Sequence, residues 1–327
     1  MISALVGKNI EVTSYLFAYL FVYLHLIRRK MEMRKELHGL GVALVTPFTK
    51  NGEVDYEALN RLVDYQIASG TDFLCVLGTT AETPTLTADE QTKVRQAVIE
   101  RNAGRLPILL GVGGNCTRTI VEKLKNDAME GVDAILSVVP YYNKPTQEGM
   151  YAHFSAIAEA TDLPIILYNV PGRTGVNMSA DTTLRLANDC PNVVGIKEAS
   201  GNVEQITDIL RRRPDGFKVL SGDDGITLPL IENGAEGVIS VIGNGLAEEF
   251  AMMVHCALKG DGQGAREMDE RLKAMYSLLF VDGNPAGIKA LLYQRGMAEN
   301  VLRLPLLPAT EITYKKIGQA LDSILKR

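Results

Sequence analysis

The stretches PIILYNV (164–170) and VVGIKEAS (193–200) are two apolar runs separated by a segment long enough for one helix. Neither run alternates apolar with polar residues, which is typical of parallel strands that are buried on both faces. Six further runs of the same kind make eight in all. They are GVALVTPF (41–48), FLCVLGTT (73–80), PILLGVGG (107–114), AILSVVP (134–140), KVLSGDD (218–224) and GVISVIGN (237–244).

The segments between these runs have the periodicity of amphipathic helices. Leu59, Leu62 and Val63 fall on one helical face, and Thr87 with Glu90 forms a capping box that begins a later helix. Eight strand–helix units over roughly 200 residues predict a closed α/β barrel of the (β/α)8, or TIM, type. A doubly wound sheet is the alternative, but its GxGxxG fingerprint does not open the first strand–helix turn.

The strand runs stop after about residue 260. Residues 268–280 and 311–325 have helical patterns on either side of an Asn-Pro loop. We therefore predict a catalytic barrel over residues 37–260 and a small helical region over residues 261–327. Such an appendage more often packs against the barrel or a neighbouring subunit than performs chemistry.

The first 36 residues do not fit this pattern. Residues 12–27 contain no Asp, Glu, Lys or Arg and precede Arg28-Arg29-Lys30. This apolar run is shorter than the roughly 20 residues that span a bilayer, and no small-residue cleavage site follows it. We interpret residues 1–36 as an extension outside the fold, with Met31 or Met33 as the true start, in preference to a membrane anchor.

Composition excludes several classes of function. The net charge of −5 and the scattered lysines and arginines argue against nucleic-acid binding. Four cysteines without a CxxC pair indicate a reduced, cytoplasmic compartment, with Cys75 buried as a free thiol in an apolar run. Four scattered histidines show no metal-ligand spacing, so we expect neither a catalytic metal nor a cofactor.

In a barrel of this type, the catalytic residues lie at the carboxyl ends of the strands. Lys197 ends the sixth run, where burial of an ammonium is unfavourable unless it is paired or its pKa falls. A neutral amine there attacks ketones. Glu198 is a poor partner, because adjacent strand residues face opposite sides. A structural ion pair with another acid of the barrel is the alternative interpretation of Lys197.

Other polar residues also follow the strands. Tyr168 ends the neighbouring run and is suited to proton transfer, although a buried tyrosine is more often a packed aromatic. Thr79 and Thr80 offer hydroxyl and N–H groups to a small carboxylate. Arg173 can bind a second carboxylate through two hydrogen bonds, although most loop arginines are merely solvated. Asp223 and its neighbour Asp224 are more typical of helix N-caps than of acids.

Five motifs in this order carry a resemblance: GTTAE (78–82), PYYNKP (140–145), YNVPGRTG (168–175), GIKEASG (195–201) and SGDD (221–224). They resemble the 4-hydroxy-tetrahydrodipicolinate synthase family of pyruvate-dependent Schiff-base aldolases, in the N-acetylneuraminate lyase superfamily. The resemblance begins at about Gly39 and includes, nearer the C-terminus, NPAGIK (284–289) and LRLP (302–305).

The resemblance implies roles for individual residues. Lys197 corresponds to the Schiff-base lysine, with Tyr168, Thr79 and Tyr142 as a proton relay. In the family, a neighbouring subunit inserts its equivalent of Tyr141-Tyr142 near the active site. The resemblance therefore implies a homodimer or homotetramer.

The substrate residues are implied in the same way. Thr79 and Thr80 correspond to the residues that hold the pyruvate carboxylate, and Arg173 to the ligand of aspartate 4-semialdehyde. The backbone at Gly222 and Ile239 completes the pocket. The implied reaction condenses the two substrates on the way to lysine and diaminopimelate.

Two departures from the family pattern concern the backbone and regulation. Ala81 stands where most members have glycine, which is tolerable if its φ angle is negative. Ala88 and Thr119 replace ring or acid side chains that are common in members inhibited by lysine, which argues against lysine feedback.

Three rival functions fit parts of the sequence. A sister lyase that cleaves N-acetylneuraminate or a keto-deoxy sugar acid shares the lysine and tyrosine, but lacks an equivalent of Arg173 and usually has serine first in the threonine pair. A non-catalytic barrel predicts an inert Lys197. A phosphate-sugar enzyme is suggested only by the glycines Gly222, Gly243 and Gly245 after strands seven and eight.

Overall fold

The computed structural model describes residues 37–326, and the predicted N-terminal extension lies outside the described residues. Eight parallel strands form a closed barrel in chain order, with the last strand paired to the first. The predicted barrel is confirmed, and closure excludes the doubly wound sheet. The strands are β1 (Gly39–Ala43), β2 (Phe73–Val76), β3 (Ile108–Gly111), β4 (Ala134–Val138), β5 (Ile165–Asn169), β6 (Val193–Glu198), β7 (Lys218–Ser221) and β8 (Gly237–Ser240).

The helices follow the strands, and α2 begins with the predicted capping box between Thr87 and Glu90. Among the helices of residues 37–326, none combines the length and hydrophobicity of a membrane span. The helices are α1 (Tyr56–Ala68), α2 (Ala88–Asn102), α3 (Thr117–Asn126), α4 (Gln147–Glu159), α5 (Pro171–Thr174), α6 (Ala180–Asp189), α7 (Val203–Arg212), α8 (Thr227–Glu232), α9 (Ala247–Leu258), α10 (Gly262–Leu278), α11 (Ala286–Gln294) and α12 (Glu311–Leu325).

The strands are shorter than the predicted runs. The first run was placed at 41–48, whereas β1 ends at Ala43. The chain then leaves the sheet but stays apolar, because Leu44, Val45 and Phe48 are buried in the larger hydrophobic cluster. An apolar run therefore marks burial and does not by itself mark the end of a strand.

Two separate hydrophobic clusters account for the continuous apolar character of the strands. The larger cluster includes residues of the helices and of the outer strand faces. The smaller cluster contains one or two residues from every strand and fills the barrel interior. Its strand members are Ala43, Phe73, Cys75, Leu109, Ala134, Leu136, Ile166, Tyr168, Val194, Leu220 and Ile239.

A β-bulge in β6 sets the direction of Lys197. The register with β5 shifts so that Ile165 pairs with Val193 and Ile166 with Gly195, which leaves Val194 as the extra residue. Val194 belongs to the interior cluster, and strict alternation would turn a residue three positions later outward. The extra residue reverses that parity, so Lys197 pairs with the inward-facing Tyr168.

The C-terminal region differs in part from the prediction. α12 has the predicted bounds, but α10 begins at Gly262 and not at residue 268. α11 was missed, and its first seven residues, Ala286 to Leu292, are all buried. A helix that is buried all round has no polar face, so its periodicity is weak in the sequence.

Candidate active site

Lys197 and Tyr168 lie side by side near the carboxyl ends of β6 and β5. Their backbones are paired in register, and Lys197 Nζ lies 4.5 Å from the centroid of the Tyr168 ring. Both residues are only 6% exposed. The ring quadrupole attracts a lysine ammonium at this distance, and the phenol that carries the ring is able to exchange protons.

The groups around Lys197 divide between the two faces of the sheet. Cys75 is fully buried in the barrel interior, and burial raises the pKa of its thiol to about 11 although the positive charge of Lys197 acts in the opposite direction. Glu198 accepts hydrogen bonds from the side chains of Asn169 and Gln205 and from the Ser200 N–H group. Burial raises the pKa of Glu198. As predicted, Glu198 is held by groups other than the lysine beside it.

Thr79 and Thr80 lie on a short three-ten turn directly after β2, and not on the strand itself. Backbone N–H groups of Ala81 and Glu82 donate to the carbonyl oxygens of Gly78 and Thr79, which closes the turn. Ala81 is not among the residues with positive φ, so the predicted condition for alanine there is confirmed. Glu82 has the left-handed conformation instead, with φ of 54°.

A cavity of about 450 Å³ opens beside this turn. Its lining includes Thr79, Tyr168 and Arg173, together with Tyr141. These side chains come from three different strand–helix connections or strand ends, as expected for a barrel active site. A larger cavity of about 1050 Å³ lies at the amino-terminal ends of β4 to β6, far from this chemistry.

The remaining predicted site residues, Lys197 among them, are not among the residues that line this cavity. Thr80 is buried, and Ile239 belongs to the barrel interior. The Gly222 N–H group donates to the Glu198 carbonyl oxygen at 2.8 Å, and a Cβ atom at Gly222 would lie 2.5 Å from that of Ala199. Tyr142 is 88% exposed and has a φ angle of 71°, so within one chain its ring points to solvent.

The pair of aspartates after β7 has two different roles. Asp223 accepts a hydrogen bond from the Gly225 N–H group as an N-cap, as predicted. Asp224 is not a cap of its own turn: its carboxylate is buried and accepts from the N–H groups of Val241 and Ile242. Burial raises the pKa of Asp224 to about 6. The sequence could not separate the two, since only tertiary packing buries the second.

The C-terminal region brings polar residues to the site that were not predicted from the sequence. Asn284 Nδ2 donates to Thr80 Oγ1 at 3.0 Å, and the Asn284 carbonyl oxygen is 3.4 Å from Arg173 Nη2. Lys289 forms a fully buried ion pair with Glu82. The segment NPAGIK carried the resemblance, but nothing in its spacing indicates contact with a turn about 200 residues earlier.

Among residues 37–326, no group of three or more His, Cys, Asp or Glu side chains is arranged to hold a metal ion. The polar side chains that line the cavity include several hydroxyls, the Gln91 amide, the Lys123 ammonium and the Arg173 guanidinium. These groups suit a substrate that carries carboxylates.

Known sequences are similar to this chain over most of its length. The model of the dihydrodipicolinate synthetase family matches residues 36–324. A 4-hydroxy-tetrahydrodipicolinate synthase of Phocaeicola vulgatus is 60% identical over 292 residues, which cover 89% of this chain and 98% of that protein. One of Parabacteroides distasonis is 61% identical over 288 residues, covering 88% and 97%.

Solved structures extend the similarity to the fold. Dihydrodipicolinate synthase from Aquifex aeolicus is 43% identical with a TM-score of 0.85, and the match covers 89% of this chain and all of that one. The chloride-inhibited enzyme from Acinetobacter baumannii, complexed with pyruvate, is 41% identical with a TM-score of 0.85, covering 88% and 99%. The chain therefore belongs to the dihydrodipicolinate synthetase family.

Proposed function

We propose that this chain is a lyase that condenses pyruvate with L-aspartate 4-semialdehyde through a Schiff base on Lys197, as a 4-hydroxy-tetrahydrodipicolinate synthase of lysine and diaminopimelate biosynthesis. The observation that carries the proposal is the Lys197 amine, 4.5 Å from the centre of the Tyr168 ring at the catalytic end of the barrel. Curated relatives with that activity at 60% and 61% identity support it.

The proposed reaction begins with covalent attack. Lys197 reacts through the free lone pair of its nitrogen, which adds to the pyruvate ketone, and the carbinolamine loses water to form an imine. Loss of a proton from the pyruvate methyl group gives an enamine, whose carbon attacks the aldehyde of the second substrate. The amino group of that substrate then displaces Lys197 by ring closure, which regenerates the free lysine.

Proton transfer is assigned to hydroxyl groups near the lysine. Tyr168 exchanges protons with the carbinolamine, and Thr79, which lines the same cavity, relays them. Tyr142 is exposed in one chain, so we assign it to the relay of a neighbouring subunit. This assignment makes the active unit at least a homodimer and, by resemblance, a homotetramer.

Substrate binding is assigned to groups around the cavity. Thr79 and Thr80 hold the pyruvate carboxylate, and Arg173 binds the carboxylate of the semialdehyde through paired hydrogen bonds. The backbone at Gly222 and Ile239 completes the pocket. We further propose that the barrel of residues 37–260 carries these groups, that residues 261–327 support it, and that the protein is cytoplasmic.

Borohydride trapping tests the function directly. Reduction of the protein with pyruvate present is expected to add the mass of one reduced pyruvyl imine, and peptide mapping is expected to place it on Lys197. The Lys197→Ala variant should form no adduct. Lys123→Ala is the matched control, because Lys123 lines the cavity beside Thr79 and Tyr168 yet should not be needed for the adduct.

A coupled assay then defines the substrate. Condensation of pyruvate with aspartate 4-semialdehyde is expected in the wild-type protein. Absence of an adduct, or an adduct that survives in Lys197→Ala, would remove the Schiff-base mechanism. Cleavage of N-acetylneuraminate or a keto-deoxy sugar acid without condensation would instead assign the chain to the sister lyases.

A further inference from the structure

Asn284 joins two of the proposed substrate ligands from outside the barrel. Its side-chain Nδ2 donates to Thr80 Oγ1 at 3.0 Å, and its carbonyl oxygen lies 3.4 Å from Arg173 Nη2. Thr80 and Asn284 are 2% and 7% exposed, so water competes little for the shorter bond. One residue of the C-terminal region, in the connection between α10 and α11, therefore contacts both proposed carboxylate-binding positions.

The direction of the shorter hydrogen bond matters for an anionic substrate. A threonine hydroxyl has one donor hydrogen and two acceptor lone pairs. Because Asn284 donates to Thr80 Oγ1, the bond occupies a lone pair and leaves the hydroxyl hydrogen free. A carboxylate accepts hydrogen bonds and cannot donate them, so this arrangement turns Thr80 into the donor that a carboxylate requires.

The other amide atom of Asn284 indicates that the residue is not placed there for stability alone. Its Oδ1 atom is buried and has no hydrogen-bond partner among residues 37–326. An unpaired buried acceptor destabilises the folded state, and such groups occur at functional sites. An apolar side chain of similar volume would avoid that destabilisation but would also remove the donor to Thr80.

The far end of the threonine turn is held by the same C-terminal region. Leu77 and Glu82 flank the turn with φ angles of 56° and 54°, a conformation that is strained for residues other than glycine. The buried Glu82 carboxylate accepts hydrogen bonds from Lys289 Nζ and from the Arg303 N–H group. These contacts hold the strained end, so the turn stays fixed while Asn284 orients the hydroxyl.

We propose that Asn284 is a positioning residue for the pyruvate carboxylate and acts through the Thr80 hydroxyl, on a turn that Lys289 and Glu82 hold in place. The inference rests on the proposed function, because it presupposes that pyruvate binds at the threonine turn. The proposed site then includes, besides the barrel residues, one residue of the C-terminal helical region, a kind of appendage that more often packs against the barrel or a neighbouring subunit than performs chemistry.

Steady-state kinetics of Asn284→Leu test the proposal. Leucine keeps the volume and removes the donor, so the pyruvate KM is expected to rise about tenfold with kcat within about threefold of wild type. Asn284→Asp is isosteric and adds a negative charge beside the substrate carboxylate. It should raise the pyruvate KM further, and the rise should diminish as the pH is lowered and the introduced carboxyl becomes protonated.

A double-mutant cycle separates positioning from a general structural effect. If Asn284 acts through the hydroxyl, Asn284→Leu should change the pyruvate KM less than about twofold in a Thr80→Val background. Asn192→Leu is the matched control, since Asn192, just before β6, donates through Nδ2 to the backbone carbonyls of Ala158 and Thr161 at the end of α4. It should lower the thermal midpoint and leave the pyruvate KM unchanged.

The outcomes distinguish this inference from the proposed function. An unchanged pyruvate KM in both Asn284 variants, or equal effects with and without the Thr80 hydroxyl, would overturn the positioning role. The pyruvate concentration for half-maximal borohydride trapping gives the same test without the second substrate. If the wild-type protein forms no adduct, the proposed function fails; if it forms one and the Asn284 variants match it, only the inference fails.

Discussion

At the scale of single residues, the site depends on which face of a strand a side chain occupies. The extra residue Val194 turns Lys197 inward, whereas Glu198 is bonded to Asn169 and Gln205 on the other face. Without the bulge, the lysine and the glutamate would exchange faces. The chemistry proposed for this protein thus requires one inserted residue in β6.

The first prediction concerns the phenol beside that lysine. Tyr168→Phe keeps the ring under Lys197 Nζ and removes the hydroxyl, so kcat is expected to fall about 10²- to 10³-fold. The borohydride adduct should still form on Lys197, but more slowly, because the lysine itself is intact. Tyr151→Phe is the control, since the Tyr151 hydroxyl donates to Asp189 on the surface. A Tyr168→Phe variant with wild-type trapping rates would exclude the proton-transfer role.

At the scale of elements, the C-terminal helices hold the barrel loops through buried polar contacts. Lys289 on α11 pairs with Glu82, and its ammonium also lies 4.0 Å from the centre of the Phe48 ring. Burial lowers the pKa of Lys289 to about 8, although the Glu82 carboxylate acts in the opposite direction. Arg303 also connects the C-terminal region to the barrel, through Glu90 on α2. Its hydrogen bond to Glu90 lowers the pKa of that carboxyl to about 2.

The second prediction concerns the buried pair. Lys289→Met leaves the Glu82 carboxylate buried without its cation and should lower the free energy of unfolding by about 3 to 5 kcal/mol. The double variant Glu82→Gln, Lys289→Met should recover part of that loss. Lys315→Met is the control: the Lys315–Glu311 pair is exposed, and its removal should change stability by less than about 1 kcal/mol. The measurement is urea denaturation. If Lys289→Met and Lys315→Met lowered the free energy of unfolding equally, the prediction would be contradicted.

The third prediction concerns pH. His255 on α9 hydrogen-bonds to Asp72 before β2, and this bond raises the pKa of His255 against the opposing effect of burial and of Lys259. Because the folded-state pKa exceeds the unfolded value of 6.5, the stabilisation is fully present below pH 6.5 and is lost as the pH rises through the folded-state pKa.

The measurement compares thermal midpoints of wild type and His255→Gln at several pH values. The thermal midpoint of the wild type should exceed that of His255→Gln by more at low pH than at high pH. His38 is present in both proteins, and its pKa is lowered mainly by burial; the charge of His255 is the smallest of the causes, so most of the His38 titration cancels in the difference. A difference that is independent of pH would show that the pair adds no proton-linked stability.

At the scale of the whole molecule, the exposed aromatic residues mark the place where we propose that a second copy contributes to the site. Tyr141 and Tyr142 are 41% and 88% exposed, and Tyr141 lines the same cavity as Tyr168. A single chain therefore leaves the Tyr142 hydroxyl outside the pocket in which we assign it a role. The assignment holds only if a neighbouring subunit supplies that ring.

The fourth prediction tests this exchange between subunits. A hybrid of one Lys197→Ala subunit and one Tyr142→Phe subunit has one site with an intact lysine and an intact tyrosine from its neighbour. If Tyr142 acts across the interface, hybrids purified through two different tags should recover about half of wild-type activity. If it acts within its own chain, no site in the hybrid is complete. Activity equal to the mean of the two parent homo-oligomers would exclude the exchange.

The sequence by itself determined the barrel, its strand–helix order and the strands on which Lys197 and Tyr168 lie, because burial on both sheet faces leaves continuous apolar runs and strand-end chemistry follows from the topology. Only the tertiary structure decided the rest. The bulge at Val194, the buried helix α11 and the contact of Asn284 with Thr80 depend on register and packing between segments up to 204 positions apart. Such contacts leave no periodicity in a local stretch of chain.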